Sequence, residues 1–434
     1  MRTSRSSSVR RGRPFLGVSS ERTTRRDLIT AGIIALVMIV AAAVVLLSGS
    51  AARSEFRTAD AEQPVYGPTV EAPTSLQPLW THGSGGTGAP LTTKGNLVTV
   101  TEDGTLVGRD AGSGEERWTY SNAGRFCAAT FYADSLVAAF DGASGCSDVT
   151  SVDPTSQQYE STRQSDFPDA MELGSTWKHA LALSPQRLEI WRDDLVRTVE
   201  YGAVSAPQEA GMQPRTGCTL GTADLTDERF VVSERCPGED SERLTFSKTV
   251  PEDNRKPEEL ASAPTGADGL WIIEVSDEGV LALRNQGADW TVDWFTSPTQ
   301  RQTVLILGGE PARKPSLDTV SGDDGQARWF DGAQAHAFDT SSGAQLWASP
   351  ATGPGLTGGW SPDPEAATAG PWVLLPLPDG FSLLDRASGT ELRPLASTPL
   401  PGEGVRESVT GLAQIGDILY ERRAGAIHAY KLVA

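Results

Sequence analysis

The sequence predicts an all-β fold: a β-propeller of about eight four-stranded blades, with seven blades as the alternative, preceded by one transmembrane helix. Three observations lead to this prediction. An Asp-x-x-Ser-Gly motif recurs along the chain, its copies are separated by multiples of about 46 residues, and an uncharged apolar stretch lies near the N-terminus. β-Hairpins that return with a period in the mid-forties are typical of propeller blades.

The clearest copy of the repeat is residues 333–347, where side chains alternate as in a strand before the turn that begins at Asp339. The Asp339 carboxylate can accept backbone N–H groups ahead of it, and Gly343 can take the positive φ that such a turn requires. The motif returns at Asp110 and Asp385. The residues assigned a structural role in these turns and in the strands after them are Asp110, Gly114, Trp118, Asp339, Gly343, Trp347, Asp385 and Gly389.

The spacing of the three strong copies sets the phase of the whole array. Asp339 and Asp385 are 46 residues apart, and Asp110 and Asp339 are 229 apart, which is five such periods. This phase predicts further copies near residues 156, 202, 248 and 294, and degenerate candidates for them occur at 152–157, 188–193, 244–248 and 280–284. Because the last copy stops after its third strand, the strand around Trp80 is predicted to complete the final blade and close the ring.

The motif resembles the PQQ-like (quinoprotein-like) β-propeller repeat. Residues 103–106 and 379–381 match the opening of that repeat, the three aspartates match its turn, and Trp118 and Trp347 match its tryptophan. The resemblance implies that 77–434 forms the propeller. It implies little about activity, because the same fold serves quinone-dependent dehydrogenases, assembly scaffolds and sensor domains.

The residues before the propeller divide into three segments. Residues 1–27 contain eight arginines and two acidic residues, a net charge of +6 without apolar periodicity, which predicts a disordered basic tail. Residues 28–47 carry no charge and are long enough to cross the hydrocarbon layer. The basic tail is expected in the cytoplasm and the propeller outside it. Residues 48–76, rich in Ala, Pro, Ser, Thr and Glu, are predicted to be an extracytoplasmic linker.

A second interpretation of the N-terminus concerns export. Residues 24–29 (TRRDLI) look like a twin-arginine signal, and residues 48–50 could precede a cleavage site. The apolar stretch is longer than the 7–15 residues usual in a cleaved signal, which favours an uncleaved signal anchor. Both interpretations place the rest of the chain outside the cytoplasm.

Charge limits the partners of the predicted propeller. The whole chain carries −19, so the part after residue 27 carries −25. A domain this acidic does not hold a nucleic-acid backbone, and anionic lipid headgroups repel it. The expected partner outside the membrane is an envelope protein or a cell-wall component.

The four cysteines are predicted to form two local disulfides, Cys127–Cys146 and Cys218–Cys236. The separations within the pairs are 19 and 18 residues, and equivalent cysteines of the two pairs lie about two blade periods apart. Such distant sites are too far apart to bridge, so local pairing is favoured among the three connectivities. Disulfides fit an oxidising location. Zinc binding is disfavoured because no Cys-x2-Cys spacing occurs.

Two loops are candidates for binding. Trp360 lies in the Gly/Pro-rich segment 351–371, which is too irregular for strands and suits a binding loop. Residues 321–325 (SGDDG) resemble the start of a sialidase Asp-box turn, and we interpret them as an acidic turn where a calcium ion is conceivable. No catalytic or cofactor-binding residues are assigned.

The sequence favours a non-enzymatic binding or scaffolding module at the cell envelope, without a cofactor. The alternative is a PQQ-dependent dehydrogenase. The resemblance implies adjacent cysteines joined over the quinone in those enzymes, and no two cysteines are adjacent here. Arginine (31) far exceeds lysine (6), which suggests a GC-rich bacterium and resembles single-pass actinobacterial proteins with an outward PQQ-like propeller.

Overall fold

A computed structural model describes residues 24–48, 52, 54–58, 72–86, 88–93, 96–132, 134–167, 170–207, 209–323, 325–358, 370–396 and 409–434. The chain divides into two compact units, Met1–Arg53 and Ser54–Ala434. The first contains helix α1, Arg25–Ser48, whose start is capped by reciprocal bonds between Thr24 and Asp27. Residues Arg25–Val44 are long and apolar enough to cross a membrane, which fits an anchor or a signal sequence.

The second unit is a propeller of eight antiparallel blades, and the prediction of eight rather than seven is confirmed. Blade 1 contains β3 Leu91–Thr93, β4 Asn96–Val100, β5 Leu106–Asp110 and β6 Glu116–Ser121. Blade 2 contains β7 Phe126–Tyr132, β8 Ser135–Gly142, β9 Gly145–Asp153 and β10 Gln158–Gln164. Blade 3 contains β11 Glu172–Ser175, β12 His179–Leu183, β13 Arg187–Arg192 and β14 Arg197–Gly202. Blade 4 contains β15 Thr219–Leu225, β16 Arg229–Arg235, β17 Glu242–Lys248 and β18 Glu259–Ala267.

The remaining blades follow the same order from the first strand to the fourth. Blade 5 contains β19 Gly269–Val275, β20 Val280–Gln286, β21 Asp289–Ser297 and β22 Gln300–Leu307. Blade 6 contains β23 Val320–Asp323, β24 Gln326–Phe330, β25 Gln334–Asp339 and β26 Gln345–Pro350. Blade 7 contains β27 Leu356–Thr357, β28 Trp372–Leu377, β29 Gly380–Asp385 and β30 Glu391–Ala396. Blade 8 contains β31 Val409–Ile415, β32 Ile418–Arg423, β33 Ala426–Val433 and β2 Ser75–Gly83.

Blade 8 closes the ring as the sequence predicted. Strand β2, which contains Trp80, pairs antiparallel with β33 from Ser75↔Val433 to Gly83↔Ala426. The strand before blade 1 and the last strand of the chain thus share one sheet. Unfolding this blade requires both ends of the propeller chain to separate, which stabilises the closed ring.

One further strand lies within the segment predicted to be a linker. Strand β1, Glu55–Thr58, pairs with β6 as a fifth strand of blade 1, and Phe56 stacks on Trp118 with ring centroids 5.6 Å apart. The sequence interpretation did not anticipate this strand, because four residues are too few to show periodicity. It covers the outer edge of blade 1, which would otherwise present unpaired backbone groups.

Three of the four degenerate candidates lie in the third strand of a blade or at its end, although 188–193 ends before the phase position near 202. Residues 152–157 and 188–193 span the end of the third strand in blades 2 and 3, and 244–248 lies in the third strand of blade 4. The prediction for 280–284 was wrong, because these residues belong to the second strand, β20. Strand β21 carries the phase position near 294, but its DWTVDW sequence lacks the turn motif that would have identified it.

Apolar side chains between neighbouring blades form the core. One buried cluster joins Val98 and Trp118 of blade 1 to Leu136 and Phe140 of blade 2, and similar clusters follow around the ring. Each blade therefore buries the face of its neighbour, and no single central core is needed.

Candidate functional site

The four cysteines form the two disulfides that the sequence predicted, Cys127–Cys146 and Cys218–Cys236. The first joins the first and third strands of blade 2. The second ties the connection after blade 3 to blade 4. Carboxylates of Asp141 and Glu234 lie near these sulfurs, but the disulfide-bonded cysteines offer no thiolates to a zinc ion.

The predicted repeat turns form in blades 1, 6 and 7. The Asp339 carboxylate accepts N–H bonds from Ser341 and Ser342 at 3.0 and 2.9 Å, and Asp110 and Asp385 act in the same way. Gly343 has φ +71°, and a Cβ built on it would lie 2.6 Å from the Trp294 ring of blade 5. Glycine is required here both for the backbone conformation and for the close approach of the indole.

Indole rings connect these turns to the preceding blade. The Trp347 indole N–H donates to the Arg386 carbonyl at 2.8 Å, and the ring packs against Gly389. Trp80 likewise donates to Ala111 at 3.1 Å and packs against Gly114. Trp347 and Trp80 therefore join the turns of blades 7 and 1 to the blades before them.

The two loop hypotheses drawn from the sequence have different outcomes. Trp360 and residues 359–369 around it lie outside the described residues, so that hypothesis stays a prediction. Asp323 lies opposite Gln326 at the end of the β23–β24 hairpin, and its side chain is buried and ion-paired with Arg328 and Arg386 at 3.0 and 2.5 Å. Asp323 also accepts a bond from Thr357 of blade 7. These partners neutralise its charge and connect blades 6 and 7.

A cavity of about 590 Å³ is the best candidate for binding in the described part of the chain. Its walls come from the fourth strand of blade 2, from blade 3, from the connection after blade 3 and from a turn of blade 4. Polar and charged side chains dominate its surface. The charged residues lining it are Arg163, Asp166, Arg187, Glu189, Arg197, Glu200 and Arg255.

Glu189 is the centre of an ion-pair network in this cavity. Its side chain is fully buried, and one carboxylate oxygen accepts the Trp191 indole N–H at 2.7 Å and the Ser165 hydroxyl at 3.0 Å. Arg163 approaches the same oxygen at 3.0 Å, and Arg187 reaches the other oxygen at 2.5 Å. Burial alone would raise the pKa of Glu189, but the charges of Arg163 and Arg187 hold it below the usual value.

Glu200 lies directly opposite Glu189 on the neighbouring strand. Two like charges in this position repel each other, so a cation must lie between them. The Arg187 guanidinium contacts Glu200 at 2.5 Å, and Arg197 contacts both carboxylates. The network is thereby rigid, because each carboxylate is held by more than one guanidinium.

The outer wall of the cavity is tied down at several points. The Gln213 side-chain amide donates to the backbone carbonyls of Glu200 and Arg255, both at 3.0 Å. The same connection ends at Cys218, which is linked to Cys236 of blade 4. The disulfide and the amide bonds hold this long segment against blade 3.

The sequence interpretation missed the cavity entirely. The available signal was the Arg187-x-Glu189-x-Trp191 pattern, which places two charges and an indole on one face of a strand. A charged pair on the face that also carries a buried tryptophan indicates a buried ion pair. Nothing in the sequence shows that Arg163 of blade 2 lies opposite this face.

Comparisons with known proteins give the fold but not the family. No family model matches the chain, and no curated protein matches it. The C-terminal WD40 domain of Sif2 is similar at 9% identity and a TM-score of 0.52, covering 84% of this chain and 99% of that one. This similarity supports the propeller fold alone.

Two other solved structures are similar at lower TM-scores. BamB from Moraxella catarrhalis is similar at 13% identity and a TM-score of 0.47, covering 82% of this chain and 99% of that one. A quinohemoprotein alcohol dehydrogenase from Pseudomonas putida HK5 is similar at 10% identity and 0.49, covering 86% and 78%. Both are β-propellers, and at these values neither similarity bears on activity.

Proposed function

We propose that this chain is a membrane-anchored, extracytoplasmic β-propeller that binds or scaffolds a component of the cell envelope and is not an enzyme. The main support is the cavity beside Glu189: a rigid polar surface built from three blades and framed by a disulfide. Its carboxylates are engaged by arginines, an arrangement suited to recognition by charge and hydrogen bonding. Helix α1 would serve as the anchor, with the basic tail in the cytoplasm.

Site-specific crosslinking in whole cells tests the binding function. A photoreactive residue at exposed Ser205, which lines the cavity, should give a discrete crosslinked species. The matched control is exposed Gln300, at the turn between the third and fourth strands of blade 5. Equal crosslinking at both positions, or none at Ser205, would contradict a partner at the cavity.

Topology has its own test. Protease added to intact, wall-stripped cells should digest the propeller and spare an epitope placed before Thr24. The expectation follows from the +6 charge of residues 1–27 and the uncharged stretch after it. Protection of the propeller would reverse the proposed orientation. Absence of the tail epitope from mature protein would favour a cleaved signal.

A quinone enzyme is the alternative activity. Adding PQQ and calcium to the purified full-length chain should produce neither binding in calorimetry nor dye reduction with alcohols and sugars. The disulfides join cysteines that are 19 and 18 residues apart. This supports a structural role for them rather than a role as the surface on which a quinone lies. Binding together with turnover would replace the scaffold proposal with the dehydrogenase.

A further inference from the structure

We propose that the cavity between blades 2 and 3 binds an oxyanion group, a carboxylate or a phosphate, on the open edge of the Arg197 guanidinium. The inference rests on the proposed binding function and names the chemistry that the partner or ligand must carry. Both anions present two oxygens at a spacing that matches the two parallel N–H groups of an arginine edge.

Arg197 has only part of its guanidinium engaged. Its Nη1 contacts Glu189 at 3.4 Å and also bonds Glu200. Within the described part of the chain, Nε and Nη2 of this residue have no hydrogen-bond partner, and the side chain keeps 24% exposure where it lines the cavity. These two nitrogens share one edge of the planar group, so the edge suited to bidentate binding is open.

The same edge is occupied at other arginines of this protein. Arg125 binds Asp141 through Nε at 2.9 Å and Nη2 at 3.1 Å. Further arginines that direct Nε and Nη2 to one carboxylate group are Arg57, Arg192 and Arg255. An intramolecular carboxylate thus fills this position repeatedly, whereas Arg197 presents the position to a cavity.

The charges around the cavity are balanced, unlike those of the rest of the chain. Its lining carries four arginines against Asp166, Glu189 and Glu200, and the fourth arginine, Arg255, is paired with Asp253. The remainder of the chain after residue 27 is strongly acidic. An anion is therefore repelled less strongly here than over most of the acidic propeller surface. Ser205 and Gln164 supply further polar groups on the wall.

Two other arginines neutralise the buried Glu189, which leaves Arg197 available to a ligand. Arg163 and Arg187 are committed to Glu189, and Arg187 also donates to the Ala203 carbonyl at 2.8 Å. Since these bonds satisfy the buried carboxylate, Arg197 is not needed to neutralise Glu189 alone. Its contacts with Glu189 and Glu200 hold Nη1, which leaves Nε and Nη2 of this cavity-lining residue available to a ligand.

Calorimetric titration of the full-length chain in detergent, at constant ionic strength, tests the proposal with two probes. Inorganic phosphate and glutarate represent the two sources of the anion, and binding of at least one is expected. Binding of phosphate alone assigns a phosphate-bearing ligand, and binding of glutarate alone assigns a carboxylate-bearing one. No binding of either probe would overturn the proposal.

Variants of Arg197 distinguish bidentate binding by the planar guanidinium edge from attraction by a positive charge alone. Arg197→Gln should weaken binding at least about tenfold, since two charge-assisted bonds are lost. Arg197→Lys keeps the charge but not the planar edge, and should weaken binding by a similar factor while the fold is retained. Arg125→Gln, an exposed arginine away from the cavity, is the matched control and should bind as the parent does. Affinity that survives both Arg197 variants would refute the site.

The failure of this inference is distinguishable from the failure of the proposed function. If the probes bind through Arg197 but no crosslink forms from Ser205, the anion site stands and the envelope partner is rejected. If a crosslink forms but Arg197→Lys leaves it and probe binding unchanged, the partner stands and the oxyanion site is rejected.

Discussion

Six of the eight boundaries between blades fall into two groups that are joined by different chemistry. At the 5–6, 6–7 and 8–1 boundaries, an indole of one blade packs on the repeat-turn glycine of the next. We call these the regular boundaries. The irregular boundaries, 1–2, 2–3 and 3–4, lack this contact. Gln157 replaces glycine in the turn of blade 2, and Glu189 and Glu234 carry buried charges at the other two.

Two of the irregular boundaries have a polar substitute for the indole contact. Between blades 2 and 3 it is the ion pair of Arg163 with Glu189. Between blades 3 and 4 the Tyr201 hydroxyl donates to Glu234 at 2.9 Å, and burial raises the pKa of both groups. The disulfides also lie in blade 2 and between the connection after blade 3 and blade 4. A ring can therefore lose its repeat contact locally when covalent or ionic links replace it, and the replaced region is where the cavity forms.

The largest expected effect comes from removing the central charge of the 2–3 boundary. Glu189→Ala leaves the guanidinium groups of Arg163 and Arg187 buried without a carboxylate at that position, and should lower the free energy of unfolding by about 3–5 kcal/mol. Urea unfolding followed by tryptophan fluorescence measures the change. Glu278→Ala, on an exposed turn of blade 5, is the control and should change stability little. A small loss at Glu189 would mean that the network is not structural.

The next largest effect is expected from removing a disulfide. Replacing Cys218 and Cys236 together by serine should cost about 3 kcal/mol, because the closed loop of 18 residues restricts the unfolded chain. The Cys127 and Cys146 pair encloses a loop of nearly equal length and provides the comparison. Similar losses for the two pairs support a purely entropic role. A larger loss at Cys218–Cys236 would show that this disulfide also holds the cavity wall.

The boundary between blades 4 and 5 should show pH dependence. The Val275 N–H donates to Asp224, and burial raises the pKa of Asp224 to about 6. Burial and the nearby charges of Asp224 and Asp323 also raise the pKa of Glu274, which Arg328 opposes. The folded chain then binds more protons than the unfolded chain, so stability is highest below about pH 4 for this group and falls as pH rises toward 6.

Asp224→Asn should reduce the loss of stability as pH rises from 4 to 6. For one carboxyl group this loss amounts to at most about 1.4 kcal/mol per pH unit. Denaturant midpoints measured from pH 4 to 7 provide the comparison. Asp289→Asn, at an exposed position in blade 5, serves as the control and should leave the slope unchanged. A slope that persists in Asp224→Asn would place the titrating group elsewhere.

A smaller effect is expected at a regular boundary. Gly343→Ala should cost about 1–2 kcal/mol, since alanine strains the left-handed backbone and meets the Trp294 ring. Gly425 has the same φ of +71° with no atom within 4 Å of a built Cβ, so Gly425→Ala measures the backbone strain alone. Equal losses at both positions would show that the indole moves aside at no cost.

The smallest effect, with the opposite sign, is expected at the 1–2 boundary. Gln157 has φ +56° in a turn where Asp153 accepts the N–H groups of Thr155 and Ser156, as in the regular turns. Gln157→Gly should relieve the left-handed strain and stabilise the chain by up to about 1 kcal/mol, partly offset by the entropy of glycine. Thermal unfolding detects the shift. A loss of stability would mean that the Gln157 side chain contributes packing of its own.

The sequence alone determined the features that depend on short-range chemistry and spacing. An Asp-x-x-Ser-Gly turn forms from five consecutive residues, and its recurrence every 46 residues was enough to give eight blades, the closing strand around Trp80 and both disulfides. The exception, 280–284, failed because blade 5 has no such turn to fix the register.

Only the tertiary structure decided which side chains meet across a boundary. Arg163 and Glu189 are 26 residues apart on different blades, and strand β1 reaches β6 across more than fifty residues. These contacts depend on the packing angle of whole sheets and on the path of long connections, for which no local pattern exists. The cavity at Arg197 depends on the sheet packing and on the long connections together. Its walls come from blades 2, 3 and 4, and no local pattern in the sequence shows which side chains of these blades meet there.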